Sequence, residues 1–156
     1  MRDRRFVAVH RGGPLDVVKH QLLSAWAADC AERVLSQFAE CSADDRPQRA
    51  IETARAWARG EVSVGTAQKA AVGAHAAARI VKSKSASAAA RAAGHAAATA
   101  HMADHCLGAP WYALKAVEAT GASADSERAW QVEQLPDEVR ELIVSALESA
   151  RFSRRA

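Results

Sequence analysis

The sequence predicts an all-α fold: one compact antiparallel array of six or seven helices with an alanine-rich pair at its centre. Three observations carry this. Apolar residues recur at three- and four-residue spacing along most of the chain. Half of residues 70–103 are alanine, the strongest helix former because it has no side-chain entropy to lose. Nowhere does a Val/Ile/Thr alternation sit between hairpin turns. Alanine helices bury little area per residue, so they belong in a core only where another backbone comes close. Trp26, Trp57, Trp111 and Trp130 fall on four different predicted helices and supply the missing bulk.

The elements follow in order. FVAV (6–9) reads as a short extended arm that stops at Gly12–Gly13, and Pro14 suits a helix's first turn. Leu15, Val18, Leu22, Leu23, Trp26, Ala27, Cys30, Val34, Leu35 and Phe38 form one amphipathic stripe, with an interruption expected near His20. Asp44 and Asp45 favour the positive end of a second helix opened by Pro47 and closed by Gly60. Its stripe is Ile51, Ala54, Trp57 and Ala58. Ser63 caps a third helix to about Val81. KSKSAS is a polar break, and Ser85 or Ser87 caps a fourth helix running to about Cys106. Pro110 forces a kink or a new helix through residue 119, ended by Gly121. Ser123 starts a further helix. After Leu135–Pro136–Asp137 the last one places Val139, Leu142, Ile143, Ala146, Leu147 and Ala150 on one face.

With 156 residues the chain fits one domain. The expected organisation is a basic N-terminal arm (1–13), a helical body (14–150) and a basic tail (151–156). The net charge of +3 is unevenly placed. Arg2, Arg4, Arg5 and Arg11 against Asp3 give the arm +3, and Arg151, Arg154 and Arg155 give the tail +3, leaving the body at −3. A nucleic-acid binder needs a basic stripe on its folded surface, so the excess reads instead as solvated, frayed ends. No apolar run approaches the ~18 residues of a membrane span, and the start lacks the apolar core of a signal peptide. The expected location is the cytoplasm. Cys30, Cys41 and Cys106 lack CxxC spacing, and Cys30 and Cys106 read as small core residues.

Candidate chemistry concentrates in the alanine block, which leads into GHAAATAHMADH and holds four of the six histidines. His101 and His105, four apart, share a helical face and are a possible metal pair. Met102 occupies the position where a HExxH protease has its glutamate, so that motif is absent. His95 points away from the pair, and a metal site would need His75 or Asp29 from a neighbouring helix. The competing reading is a buried polar network, with Asp29, Asp104 and Thr99 satisfying the imidazoles. AHAAAR (74–79) and GHAAAT (94–99) place His75 and His95 at matching positions of an internal echo. No catalytic residue and no cofactor is expected: GxSxG, a glycine-rich phosphate loop and the ExxH repeat of di-iron bundles are all missing.

Four blocks together carry a resemblance: LLSAWAADCAERVLSQF (22–38), RPQRAIETARAWARGEV (46–62), AARAAGHAAATAHMADHCLGAPWYALKA (89–116) and AWQVEQLPDEVREL (129–142). In order and spacing they resemble the bacterial immunity-five-like family of immunity proteins, associated with polymorphic toxin systems. The resemblance implies an all-helical single domain that neutralises a co-produced toxin by binding it, without catalysis. It brings no set of functional residues. The expected partner is therefore a cognate toxin protein, with no membrane or nucleic-acid partner and with homodimerisation open. The alternative expectation is a metal- or small-ligand-binding protein that uses His75, His95, His101, His105 and Asp29.

Overall fold

The computed structural model describes residues 2–155, with side chains described as far as Ala150. The side chains of the basic tail, Arg151, Arg154 and Arg155, lie outside the described residues. Among the described residues there are eight α-helices: α1 (Val17–Glu32), α2 (Leu35–Ala39), α3 (Arg46–Ala58), α4 (Val64–Ile80), α5 (Lys84–Ala98), α6 (Gly108–Ala119), α7 (Asp125–Glu133) and α8 (Asp137–Arg155). Three short 3-10 turns cover Arg4–Phe6, Val9–Arg11 and Ala103–Leu107. The only pairing of strand type described is an isolated bridge between Ala8 and Leu15.

The count exceeds the six or seven helices expected, because the long first stripe is two helices. The break lies at Arg33–Val34, not at His20, and Val34 (φ −113°, ψ 2°) has left helical geometry. His20 sits inside α1. The start of α1 also differs: Asp16, not Pro14, marks it, its carboxylate accepting from the Lys19 N–H at 2.8 Å. Ser63 caps α4 as expected. At α5 the cap is Ser83, which accepts from the Ala86 N–H at 3.2 Å, rather than Ser85 or Ser87. Those two serines are drawn into tertiary contacts instead: Ser87 Oγ donates to the Ala78 carbonyl at 2.9 Å, and Ser85 bonds Gln37.

Within the alanine block, α5 is the part enclosed by other helices. In α5, Ala86, Ala89, Ala90, Ala92, Ala93, Ala96 and Ala97 have no exposed surface. α5 packs against α1, α2, α3, α4 and α6. So many neighbours fit round one helix because a methyl group lets each backbone come close. Bulk comes from the periphery inward: Trp26, Phe38, Leu23, Val139 and Ile143 are all fully buried. Cys30 and Cys106 are buried core residues, and Cys41 is exposed.

The N-terminal segment is not the frayed arm expected from its charge. Phe6 is buried in the core cluster, Arg2 pairs with Asp104 at 3.2 Å, and Arg5 bonds Ser145 of α8. Burial of one phenylalanine and one leucine (Leu15) is enough to seat a segment whose arginines stay in water. No helix among the described residues is long and apolar enough to cross a membrane.

Candidate functional site

α5 ends at Ala98, eight residues before the expected stop at Cys106, and the chain turns at residues 99–102 before the 3-10 turn at Ala103–Leu107. His101 and His105 are thus not on one continuous helix. The rings meet all the same, with centroids 5.1 Å apart. From His105 the contacts continue to His95 on α5 at 5.4 Å, and from His95 to His75 on α4 at 5.2 Å. Tyr112 on α6 closes the row, stacked on His95 at 5.2 Å with an interplanar angle of 20°. The two histidines of the internal echo are therefore edge-to-face neighbours across the α4–α5 contact.

Two glycines make room for the row. A Cβ on Gly94 would stand 2.7 Å from Cε1 and Nε2 of His75, and one on Gly108 would overlap Nδ1 and Cγ of His95. A glycine inside a helical pattern costs about 1 kcal/mol relative to alanine, so in this alanine-rich setting it marks a packing need. That signal was available in the sequence, since Gly94 directly precedes His95. Tyr112 had no comparable signal.

The row is not the satisfied polar network expected of it. Nδ1 of His75, His95 and His101 is buried without a hydrogen-bond partner. The three predicted partners are engaged elsewhere. Asp29 pairs with Arg55 at 2.8 Å, Asp104 pairs with Arg2, and the Thr99 hydroxyl donates to the His95 carbonyl at 3.0 Å. The Thr99 carbonyl is taken by His20, whose Nε2 lies 2.6 Å away and donates to it. His20 is the buried histidine that is satisfied, and its position three residues before Leu23 on the buried stripe of α1 could have disclosed it.

Burial favours the neutral imidazole throughout. It holds His95 down at about 4, helped by the nearby charges of His75, His105 and Arg91. His75, His101 and His105 are lowered by the same desolvation. Burial also pushes the Cys30 and Cys106 thiols well above their usual value, which makes both poor nucleophiles. Asp29 does not join the row, and among the described residues no group of three or more His, Cys, Asp or Glu side chains is placed to hold a metal ion. The arrangement is a stack of neutral rings, suited to packing four elements together.

A second constellation joins the C-terminal half of α1 to α7. Arg33 reaches Glu127 of α7 through Nε and Nη2 at 2.9–3.2 Å, and its guanidinium lies 4.2 Å from the centre of the Trp130 ring. Trp26 Nε1 donates to the Gln131 carbonyl at 2.9 Å, and the Gln131 side chain donates to the Pro110 carbonyl at 3.1 Å. These contacts join α7 to α1 and α6.

No curated protein and no solved structure matches the chain. The model of the Imm-5 like putative immunity protein family does match, over residues 13–138. That span takes in α1 to α7, both glycines of the histidine row and the Arg33–Trp130 constellation, and it makes the chain a member of that family.

Proposed function

We propose that the protein neutralises a cognate bacterial toxin by forming a stoichiometric, non-catalytic complex with it in the cytoplasm. The observation that carries this reading is the family match over residues 13–138. The physical design suits the role. Binding by a rigid body avoids the entropy cost of ordering an interface, and a core of close-packed alanine helices is such a body. A body with a charge near −3 is too weakly acidic to imitate nucleic acid, so the complex works by covering or plugging the toxin.

Co-expression with the toxin encoded beside its gene tests the proposal. Growth is restored and the two proteins elute from gel filtration as one complex of fixed ratio. Unrelieved toxicity with separate elution would sink it. The same column reports whether the free protein is a homodimer.

A further inference from the structure

We infer that the groove between the start of α5 and the outer face of α6 is the surface that takes the toxin, and that it takes a carboxylate-rich segment of it. This rests on the toxin-binding reading above and adds where and by what chemistry.

The groove has a volume of about 590 Å³. Its walls carry Lys82, Lys84, Arg91 and Lys115 against one carboxylate, Glu118. Lys82, Lys84 and Lys115 are exposed, and Arg91 is half-buried. No carboxylate among the described residues is ion-paired to any of the four. Most other arginines of the body behave differently. Arg33, Arg46, Arg49, Arg55, Arg59 and Arg140 each have an acidic partner within 4 Å. The second basic groove, lined by Arg46, Arg49 and Lys69, is thereby largely neutralised from within. In a body whose net charge is negative, a cluster of four cations with no carboxylate in ion-pair contact among the described residues is a place where an outside carboxylate gains most.

Two of the donors are also held in position. Ser83 caps α5 at the groove, so the positive end of that helix adds to the field. Lys115 Nζ sits 4.8 Å over the Trp111 ring, and Tyr112, which also lines the groove, is braced by its stack on His95. Its hydroxyl has no partner among the described residues and is a further donor. Fixed donors lose little entropy on binding and give charge complementarity that speeds encounter. A nucleic-acid backbone fits less well, because Glu118 interrupts the positive wall.

The test measures toxin affinity and association rate for three variants against the native chain. The double reversal Lys84→Glu/Lys115→Glu, at exposed positions on the two facing helices, is expected to weaken binding by about 100-fold or more and to abolish the salt dependence of association. The matched control Arg49→Glu/Lys69→Glu, on the other basic groove, stays within about threefold. Glu118→Lys, which completes the positive wall, binds several-fold tighter and faster. Circular dichroism melting shows that all three keep the native fold. Native chain that binds toxin while the groove reversal binds equally well overturns the groove and leaves the function standing. Equal weakening by both reversals overturns it as well, since that is unspecific charge. Loss of binding to a duplex oligonucleotide, with toxin binding intact, assigns the groove to nucleic acid and overturns the proposal. If the native chain fails to bind toxin, the function and the groove fall together.

Discussion

Two buried polar regions hold the helices of this protein together by opposite means. Around α7, each buried polar group has its partner: Glu127 has Arg33, the Trp26 indole N–H has the Gln131 carbonyl, and the Gln131 amide has Pro110. Along the histidine row, three buried ring nitrogens have none. The first region is specified by hydrogen bonds and the second by shape, with rings filling the space that alanine and glycine leave. The difference predicts where each fails. Removing one member of a satisfied pair strands the other, whereas removing a ring nitrogen from the row relieves a desolvation cost.

The largest effect is expected at Arg33. Arg33→Ala leaves the Glu127 carboxylate, 8% exposed, without its charge partner, and also bares Trp130. A loss of about 2–3 kcal/mol in urea denaturation is expected, with Glu127→Gln partly restoring it in the double variant. If Arg33→Ala unfolds at the native midpoint, α7 is not held by this pair. Gly108→Ala should cost nearly as much, about 2 kcal/mol, because the new methyl overlaps His95 near the root of its ring. Gly94→Ala should cost less, since it meets the far edge of His75, which can tilt. Equal costs for the two glycines would mean that the row yields as a unit.

Much of this was legible in the sequence, for stated reasons. The periodicity of α3, α4 and α8 and the buried cysteines rest on local pattern, and so does the placing of the tryptophans on separate helices. The histidine row was legible in membership but not in geometry. His75 and His95 carry an echo, and His101 and His105 a spacing, but that spacing alone implies one helix face. The chain leaves the helix at residue 99, and tertiary packing rather than helical periodicity brings those rings together. Asp29 is a candidate for the row only as a carboxylate on a neighbouring helix. Arg55, one helix away, had the stronger claim on its charge. Partner choice among ionic groups depends on distances that sequence spacing does not encode. The groove was invisible for the same reason, since Lys82 and Lys84 lie about thirty residues before Lys115 and meet it only in space.

The pH dependence separates the two regions next. His95 sits at about 4 in the folded protein and near 6.5 when unfolded. Between those values the unfolded chain holds a proton that the folded one refuses, so protons favour unfolding there. The stabilisation is complete above about pH 6.5 and is lost as pH falls toward 4, by at most about 1.4 kcal/mol per pH unit for this one residue, and less after allowance for its partial exposure. His75 and Arg79 from α4, Arg91 from α5 and His105 face or flank the row and act in the same direction. His95→Leu removes the titration and the stranded Nδ1 together. It should match or exceed native stability by up to about 1 kcal/mol at pH 7.5, with a growing advantage down to pH 5. Denaturant midpoints measured across that range decide it, and a constant difference at every pH would deny His95 its part in the acid limb.

The smallest effect sharpens the contrast by marking where charge does not matter. Arg2 meets Asp104 at 3.2 Å beside the His101–His105 end of the row, but the two side chains are 43% and 30% exposed. Water solvates both charges whether or not they meet, and holding two mobile side chains in register costs entropy. Arg2→Ala should therefore shift stability by less than about 0.5 kcal/mol at pH 7.5. It should also leave the acid limb nearly unchanged, because desolvation, which holds His105 neutral, outranks both the Asp104 charge that opposes it and the Arg2 charge that assists it. If Arg2→Ala moved the acid limb by a full pH unit, the row would be governed by its surface charges and not by burial. The shape-held region would then be a second charge-held one.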